Sequence, residues 1–113
     1  MKEEVVLCAA SCYTKKYYLN PDFEGLPQAV KDELKIMCVM YTEDVSGNIE
    51  LIYEEDGNLR IQTGYDENDL LYDEIGSGLL VKRMQKEKRE LFESLETYYK
   101  VVFLGEGFDV TDN

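Results

Sequence analysis

From Val5 to Ala10 every position is apolar, the pattern of a strand buried on both faces. Tyr13 to Leu19 alternates instead, with Tyr13, Lys15, Tyr17 and Leu19 on one side and Thr14, Lys16 and Tyr18 on the other. Tyrosine fits a pleated, half-buried surface, so the two segments are expected to pair as a hairpin. Asn20-Pro21-Asp22 ends the second strand, because proline moves its predecessor out of the helical region and asparagine suits turns. Pro27 then opens a helix, being favoured at the first helical position. Val30, Leu34, Met37, Cys38, Tyr41 and Val45 fall on one helical stripe. Ile36, Val39 and Met40 widen it, which predicts burial on more than one side. Ser46-Gly47 stops the helix.

Ile49, Leu51 and Tyr53 alternate with polar residues, as do Leu59, Ile61 and Thr63. Parity chooses the turn between the two runs. A two-residue Asp56-Gly57 loop would pair Glu55 with Asn58 and set Ile52 opposite Ile61, so that the apolar sets faced opposite ways. A three-residue loop, Glu55-Asp56-Gly57, pairs Tyr53 with Leu59 and Leu51 with Ile61 on one face. It also puts Gly57 where a left-handed conformation is wanted. The second register is therefore expected.

Helical spacing resumes near Asn68 or Asp69, with Leu71, Ile75, Leu79, Met84, Leu91, Leu95, Tyr98 and Val102 in phase and Phe92, Tyr99 and Phe103 alongside. Gly76-Ser77-Gly78 is expected to kink or break this run, since glycine is costly inside helices. Gln85 to Glu90 is wholly polar, and the pairs Lys86–Glu90, Arg89–Glu93 and Glu96–Lys100 would support it as solvated helix. Gly105 and Gly107 close the helix, leaving 105–113 as a frayed tail. A single helix over 79–104 would be about 39 Å long at 1.5 Å per residue. That exceeds the roughly 26 Å diameter of a domain this size. Part of it should project, and a second subunit is the simplest cover for its aromatic face. Leu95, Tyr98, Tyr99, Val102 and Phe103 are thus the expected face of a homodimer.

The 113 residues suffice for one domain, expected to span 1–113, and 44% apolar residues describe a folded chain rather than a disordered one. Charge alters the picture more. The net charge of −12 is concentrated in 46–76, where nine carboxylates face a single arginine. It opposes binding to nucleic acid or to an anionic membrane, both polyanions. The start, Met1-Lys2-Glu3-Glu4 before a short apolar run, is not the pattern of a secretion signal, and no segment approaches the roughly 20 apolar residues of a membrane span. Together with an odd number of cysteines, three, this predicts a reducing cytoplasm.

Candidate chemistry is thin. Cys8 and Cys12 would share a face of one continuous strand, and Cys38 lies on the helical stripe. A zinc site wants four ligands, and the chain has no histidine. The cysteines are read as buried structural thiols. Lack of histidine also removes the usual general base and the Ser-His dyad. Neighbouring acids such as Asp73-Glu74 arise without purpose among 24 carboxylates, so no catalytic residue is assigned. Asp66-Glu67-Asn68-Asp69 lacks the glycine and glutamate of a helix-loop-helix calcium site, and Leu70 stands at a ligand position. A helix start capped by Asn68 or Asp69 is expected there. Gly76-Ser77-Gly78 lacks the spacing of a phosphate loop. No cofactor or metal is expected. Tyr13, Lys15, Lys16, Tyr17 and Tyr18 form the one basic-aromatic cluster, read as a guarded sheet edge and a possible contact surface.

Leu7-Cys8, Tyr17-Tyr18-Leu19-Asn20-Pro21, Tyr41-Thr42-Glu43-Asp44-Val45 and Asn68-Asp69-Leu70-Leu71-Tyr72-Asp73-Glu74-Ile75-Gly76 together resemble a family of short, acidic bacterial proteins of unknown function, over nearly the whole chain. The resemblance implies a bacterial cytoplasmic setting and carries no activity, cofactor or site residue. The expected fold is α+β, in the order β-β-α-β-β-α, with a small antiparallel sheet packed by two helices and the C-terminal helix long. Were Leu70 to Ile75 a strand, the order β-β-α-β-β-β-α would resemble the roadblock and profilin-like dimeric scaffolds. The expected function is a non-enzymatic protein-interaction module that self-associates and engages a protein partner. A small-ligand binder or enzyme, and an acidic protein that occupies a basic surface in imitation of nucleic acid, are the alternatives.

Overall fold

The register that parity selects for the second hairpin is the one the chain adopts. In the computed structural model, which describes residues 3–106, β3 (Asn48–Tyr53) and β4 (Leu59–Gly64) pair Tyr53 with Leu59 and Leu51 with Ile61. Glu54 N–H donates to Asn58 O at 2.8 Å, which leaves Glu55-Asp56-Gly57 as the loop, and Gly57 has φ +92°. The first hairpin pairs β1 (Val5–Ser11) with β2 (Lys16–Leu19). Tyr13 and Thr14 lie in its turn, so the alternation read into that segment begins only at Lys16. The four strands form one antiparallel sheet in the order β2-β1-β3-β4.

A bulge separates Val6 from Cys8 in the β1–β3 ladder. The extra residue lets two consecutive side chains, Leu7 and Cys8, both be fully buried. Ala10, Ile49, Leu51 and Tyr53 are buried in the same core. After β2, Asn20 accepts from Asp22 N–H and caps a short 3₁₀ turn at Pro21–Phe23 that inserts Phe23. α1 (Gln28–Val45) then lies across β1, β2 and β3. Its predicted stripe is buried from Leu34 to Val45, with Val30 half-buried. The wider burial expected does not occur, because Ile36 and Met40 are 59% and 54% exposed. Ser46 and Gly47, both with positive φ, end the helix as read from the sequence.

The C-terminal half departs most from expectation. Leu70 to Ile75 is no strand: Leu70 and Leu71 are in a turn, and α2 (Glu74–Glu87) starts after Asp73. Asp73, rather than Asn68 or Asp69, is the cap, its carboxylate accepting from Gly76 N–H at 2.9 Å. Gly76-Ser77-Gly78 therefore sits in the first turns of α2, where a breaker costs little. Ser77 is buried there and hydrogen-bonds Tyr41 of α1 at 2.6 Å, and burial pushes the Tyr41 phenol up to about 12.

The break falls instead at Lys88, inside the polar run, between α2 and α3 (Arg89–Val102). With no apolar anchor in Gln85–Glu90, the axis can change direction there. Lys88 then reaches Glu33 of α1 at 2.8 Å, and the i,i+4 pairs expected for this stretch are not among the ion pairs formed. Glu96 accepts from Leu59 N–H and Lys100 donates to Asn58, so both are spent on the hairpin. Folding back, α3 packs on β4 and its aromatic face joins Phe23 and Tyr53. The sheet and α+β class stand as expected, with one helix more: β-β-α-β-β-α-α. Gly105 closes α3 at φ +73°, while 107–113, and with them Gly107 and most of the expected frayed tail, lie outside the described residues.

Candidate functional site

The three cysteines separate into two environments. Cys8 and Cys38 are fully buried between β1 and α1, their sulfurs 3.9 Å apart and unbonded covalently. The neighbouring Cys8 thiol, and then burial, hold Cys38 far above the ordinary thiol range, which suits an inert core thiol. Tyr17 is half-buried beside them, and burial followed by the Cys8 thiol raises its phenol well above the usual value. Cys12 lies beyond the end of β1 and does not share its strand.

Cys12 belongs to a junction of three loops. Its N–H donates to Gly47 O at 3.0 Å, and its sulfur accepts from Gly47 N–H at 3.1 Å. Ser46 Oγ donates to Asp69 Oδ2 at 2.6 Å. Its one proton being used, Ser46 Oγ accepts from the Cys12 thiol at 3.2 Å. Tyr13 Oη donates to the same Asp69 oxygen at 2.6 Å and accepts from Asp66 N–H at 2.9 Å. The β1–β2 turn, the α1–β3 turn and the β4–α2 loop are thus tied through one carboxylate. Hydrogen bonds from Ser46 and Tyr13 hold Asp69 below the usual carboxylate range.

A depressed carboxylate favours the folded state above its unfolded value, about 3.9, and that advantage is lost as pH falls through the folded value. Asp69→Asn is therefore expected to lower the melting temperature at neutral pH. The gap between variant and parent should shrink toward zero as pH drops below about 4. Thermal melts across pH 3 to 7 check this, and a gap independent of pH would assign the loss to something other than the ionised carboxylate.

The basic-aromatic cluster is divided by the sheet. Tyr18 is half-exposed on the face opposite Tyr17, while Lys15 and Lys16 are exposed at the turn and beginning of β2. Leu95 and Tyr99 lie in the chain's own core, Tyr98 is partly covered, and Val102 and Phe103 remain 57% and 39% exposed. The carboxylates of 50–74 are spread over β3, the β3–β4 turn, the β4–α2 loop and the cap of α2. Among the described residues no three Cys, Asp or Glu side chains converge as metal ligands, and no helix is long and apolar enough to cross a membrane.

One further surface is built from apolar residues that helical periodicity alone would turn inward. Ile36 and Met40 border a groove of about 540 Å³ between α1 and α2, floored by Met37, Leu80 and Met84. On α2, Ile75 and Leu79 are 79% and 65% exposed. With Arg83, which lines the groove, they form one i,i+4 row. The apolar ridge of Ile75 and Leu79 thus adjoins a groove with an apolar floor and a charged rim that includes Asp32, Asp44, Arg83 and Glu87.

A four-stranded antiparallel sheet carrying three helices, with loops tied at one end and an open apolar face between two helices, defines a small α+β domain. The chain belongs to a family of unknown function, DUF6145, whose profile matches residues 4–107. No curated protein and no solved structure matches it.

Proposed function

We propose that this protein is a non-enzymatic interaction module that self-associates through the α1–α2 face. The observation that carries the reading is the ridge of Ile75 and Leu79 lying beside the groove of Ile36 and Met40. A two-fold axis pairs a surface with itself, and a face holding both a ridge and a groove can fill its own groove in the partner copy. Charge agrees with this pairing. α1 carries Asp32, Glu33, Glu43 and Asp44 against Lys31 and Lys35, while α2 carries Lys82, Arg83 and Lys86 against Glu74 and Glu87. Laying α2 of one copy on α1 of the other brings opposite signs together. Apolar patches of this kind on a folded protein commonly mark interaction sites. The setting we infer is the bacterial cytoplasm, where three unpaired thiols are stable.

Sedimentation equilibrium at tens of micromolar is expected to give twice the 13.1 kDa chain mass. The double variant Ile36→Glu, Leu79→Glu should be monomeric with an unchanged circular-dichroism spectrum, since both side chains are exposed. Val102→Glu, on the α3 face, should remain dimeric. A monomeric parent protein would overturn the reading.

A further inference from the structure

We propose that the cleft between the β1–β2 turn and the second half of α1 binds a small anion with an apolar portion, held by Lys15, Lys16 and Lys35. The cleft has a volume of about 810 Å³, and those three lysines line it. Such a volume lies in the range of small-molecule sites, roughly 300–1,000 Å³. Val39 and Leu71 supply apolar wall, and Thr42 and Cys12 lie between.

The charge arrangement runs against the composition. With 24 carboxylates and 12 cations, the chain offers two acids for each base. Yet among the described residues none of these three lysines has a carboxylate within ion-pair distance, while Lys31 and Lys88 each have one and Arg60 has two. The three lysines come from two parts of the fold, the first hairpin and α1, and line one cleft. Glu43 and Asp44 also line the cleft, leaving it one positive charge in excess. That suits a mono- or dianion and disfavours a polyanion such as nucleic acid.

The frame is rigid where it needs to be. Lys15 has φ +54°, a left-handed conformation uncommon outside glycine and costly to hold. The turn that imposes it is held after Lys15 by the pairing of Lys16 with Ser11, and before it by hydrogen bonds. Ser11 Oγ accepts from Tyr13 N–H at 3.1 Å, and Tyr13 and Cys12 are tied to Asp69 and Gly47. A strained residue in an over-determined turn is typical of a ligand clamp.

The cleft follows the Lys35–Val39–Thr42 side of α1 and the self-association groove follows Ile36–Met40, so the two proposals fail separately. The test titrates the full-length, isotope-labelled chain with phenyl phosphate, inorganic phosphate and benzyl alcohol, following amide shifts. Phenyl phosphate is expected to saturate, with a dissociation constant near or below about 1 mM, and with shifts confined to Lys15, Lys16, Lys35, Val39, Leu71 and their neighbours. Inorganic phosphate should move the same lysines more weakly, and benzyl alcohol should not saturate. Lys16→Gln combined with Lys35→Gln, both exposed and so compatible with folding, should weaken phenyl phosphate at least tenfold, about 1.4 kcal/mol. Failure to saturate by about 10 mM, equal shifts at Lys31, Lys82 and Lys100, or an unaffected double variant would each overturn the site.

Discussion

Phe23→Ala is expected to cost about 3–5 kcal/mol, the usual range for removing a fully buried aromatic ring. The side chain has no exposed surface. Its ring lies 5.5 Å from Tyr53, 6.3 Å from Tyr99 and 4.9 Å from Phe103 by centroids, all stacked. Tyr53 and Tyr99 stack on each other at 4.1 Å, and Tyr53 Oη donates to Leu95 O at 2.8 Å. Phe23 is therefore the piece by which the short 3₁₀ turn holds α3 against β3. Its loss removes contact from four rings at once, Tyr98 at 6.4 Å included, and the polar tyrosine tips prevent easy collapse into the space. Against a whole-domain stability of about 5–15 kcal/mol, the change should lower the urea midpoint markedly. Phe103→Ala, at a ring that is 39% exposed, should cost clearly less. Equal losses would mean that the cluster is held from α3 and not from Phe23.

Phe23 illustrates what the sequence left hidden. An isolated aromatic between Pro21-Asp22 and Glu24-Gly25 belongs to no period, so no pattern points to it. Where a period exists, the reading was good. The second hairpin was legible because side-chain alternation leaves one register that puts Leu51, Tyr53, Leu59 and Ile61 on a single face. The α1 stripe and its stop at Ser46-Gly47 were legible for the same reason. Apolar identity without phase misled: Ile36 and Met40 count toward a buried helix by composition and are on the outside by geometry.

The C-terminal helices failed for a different reason. Gly76-Ser77-Gly78 reads as a breaker from residue type alone, whereas Gly76 follows the Asp73 cap closely and meets few helical demands. Lys88 carries no breaking propensity of its own. The chain turns there because Leu95 and Tyr99 reach the core only if α3 folds back, a tertiary cause invisible to local pattern. Removing the single long helix also removes the argument that its aromatic face needed a partner. The candidate surfaces follow from this rearrangement. Lys15 and Lys16 were visible as residues, but Lys35 joins them only through the packing of α1 on the first hairpin.

Gly47→Ala is expected to be the other severe change, at roughly 2–5 kcal/mol. Holding alanine at φ +82° costs about 1–3 kcal/mol, and overpacking adds a similar amount. The added methyl would stand 2.5 Å from Gly64 O and 2.9 Å from Tyr72 Cε1. Neither neighbour yields easily: one is backbone at the end of β4, and the other is stacked on Tyr65 at 4.1 Å. Gly47 also exchanges two hydrogen bonds with Cys12, so relief by backbone movement would pull on the junction that pins Tyr13. Urea unfolding measures the stability loss. Phenyl phosphate titration of the folded variant then asks whether the turn still presents Lys15 and Lys16, and a weakened affinity is expected. Gly78→Ala is the matched control, because nothing lies within 4 Å of its added methyl and alanine is the better helix former. It should leave binding unchanged and raise stability by up to about 1 kcal/mol. If Gly47→Ala were as benign, the three-loop junction would be free to shift, and the strained Lys15 could not be a fixed part of a ligand clamp.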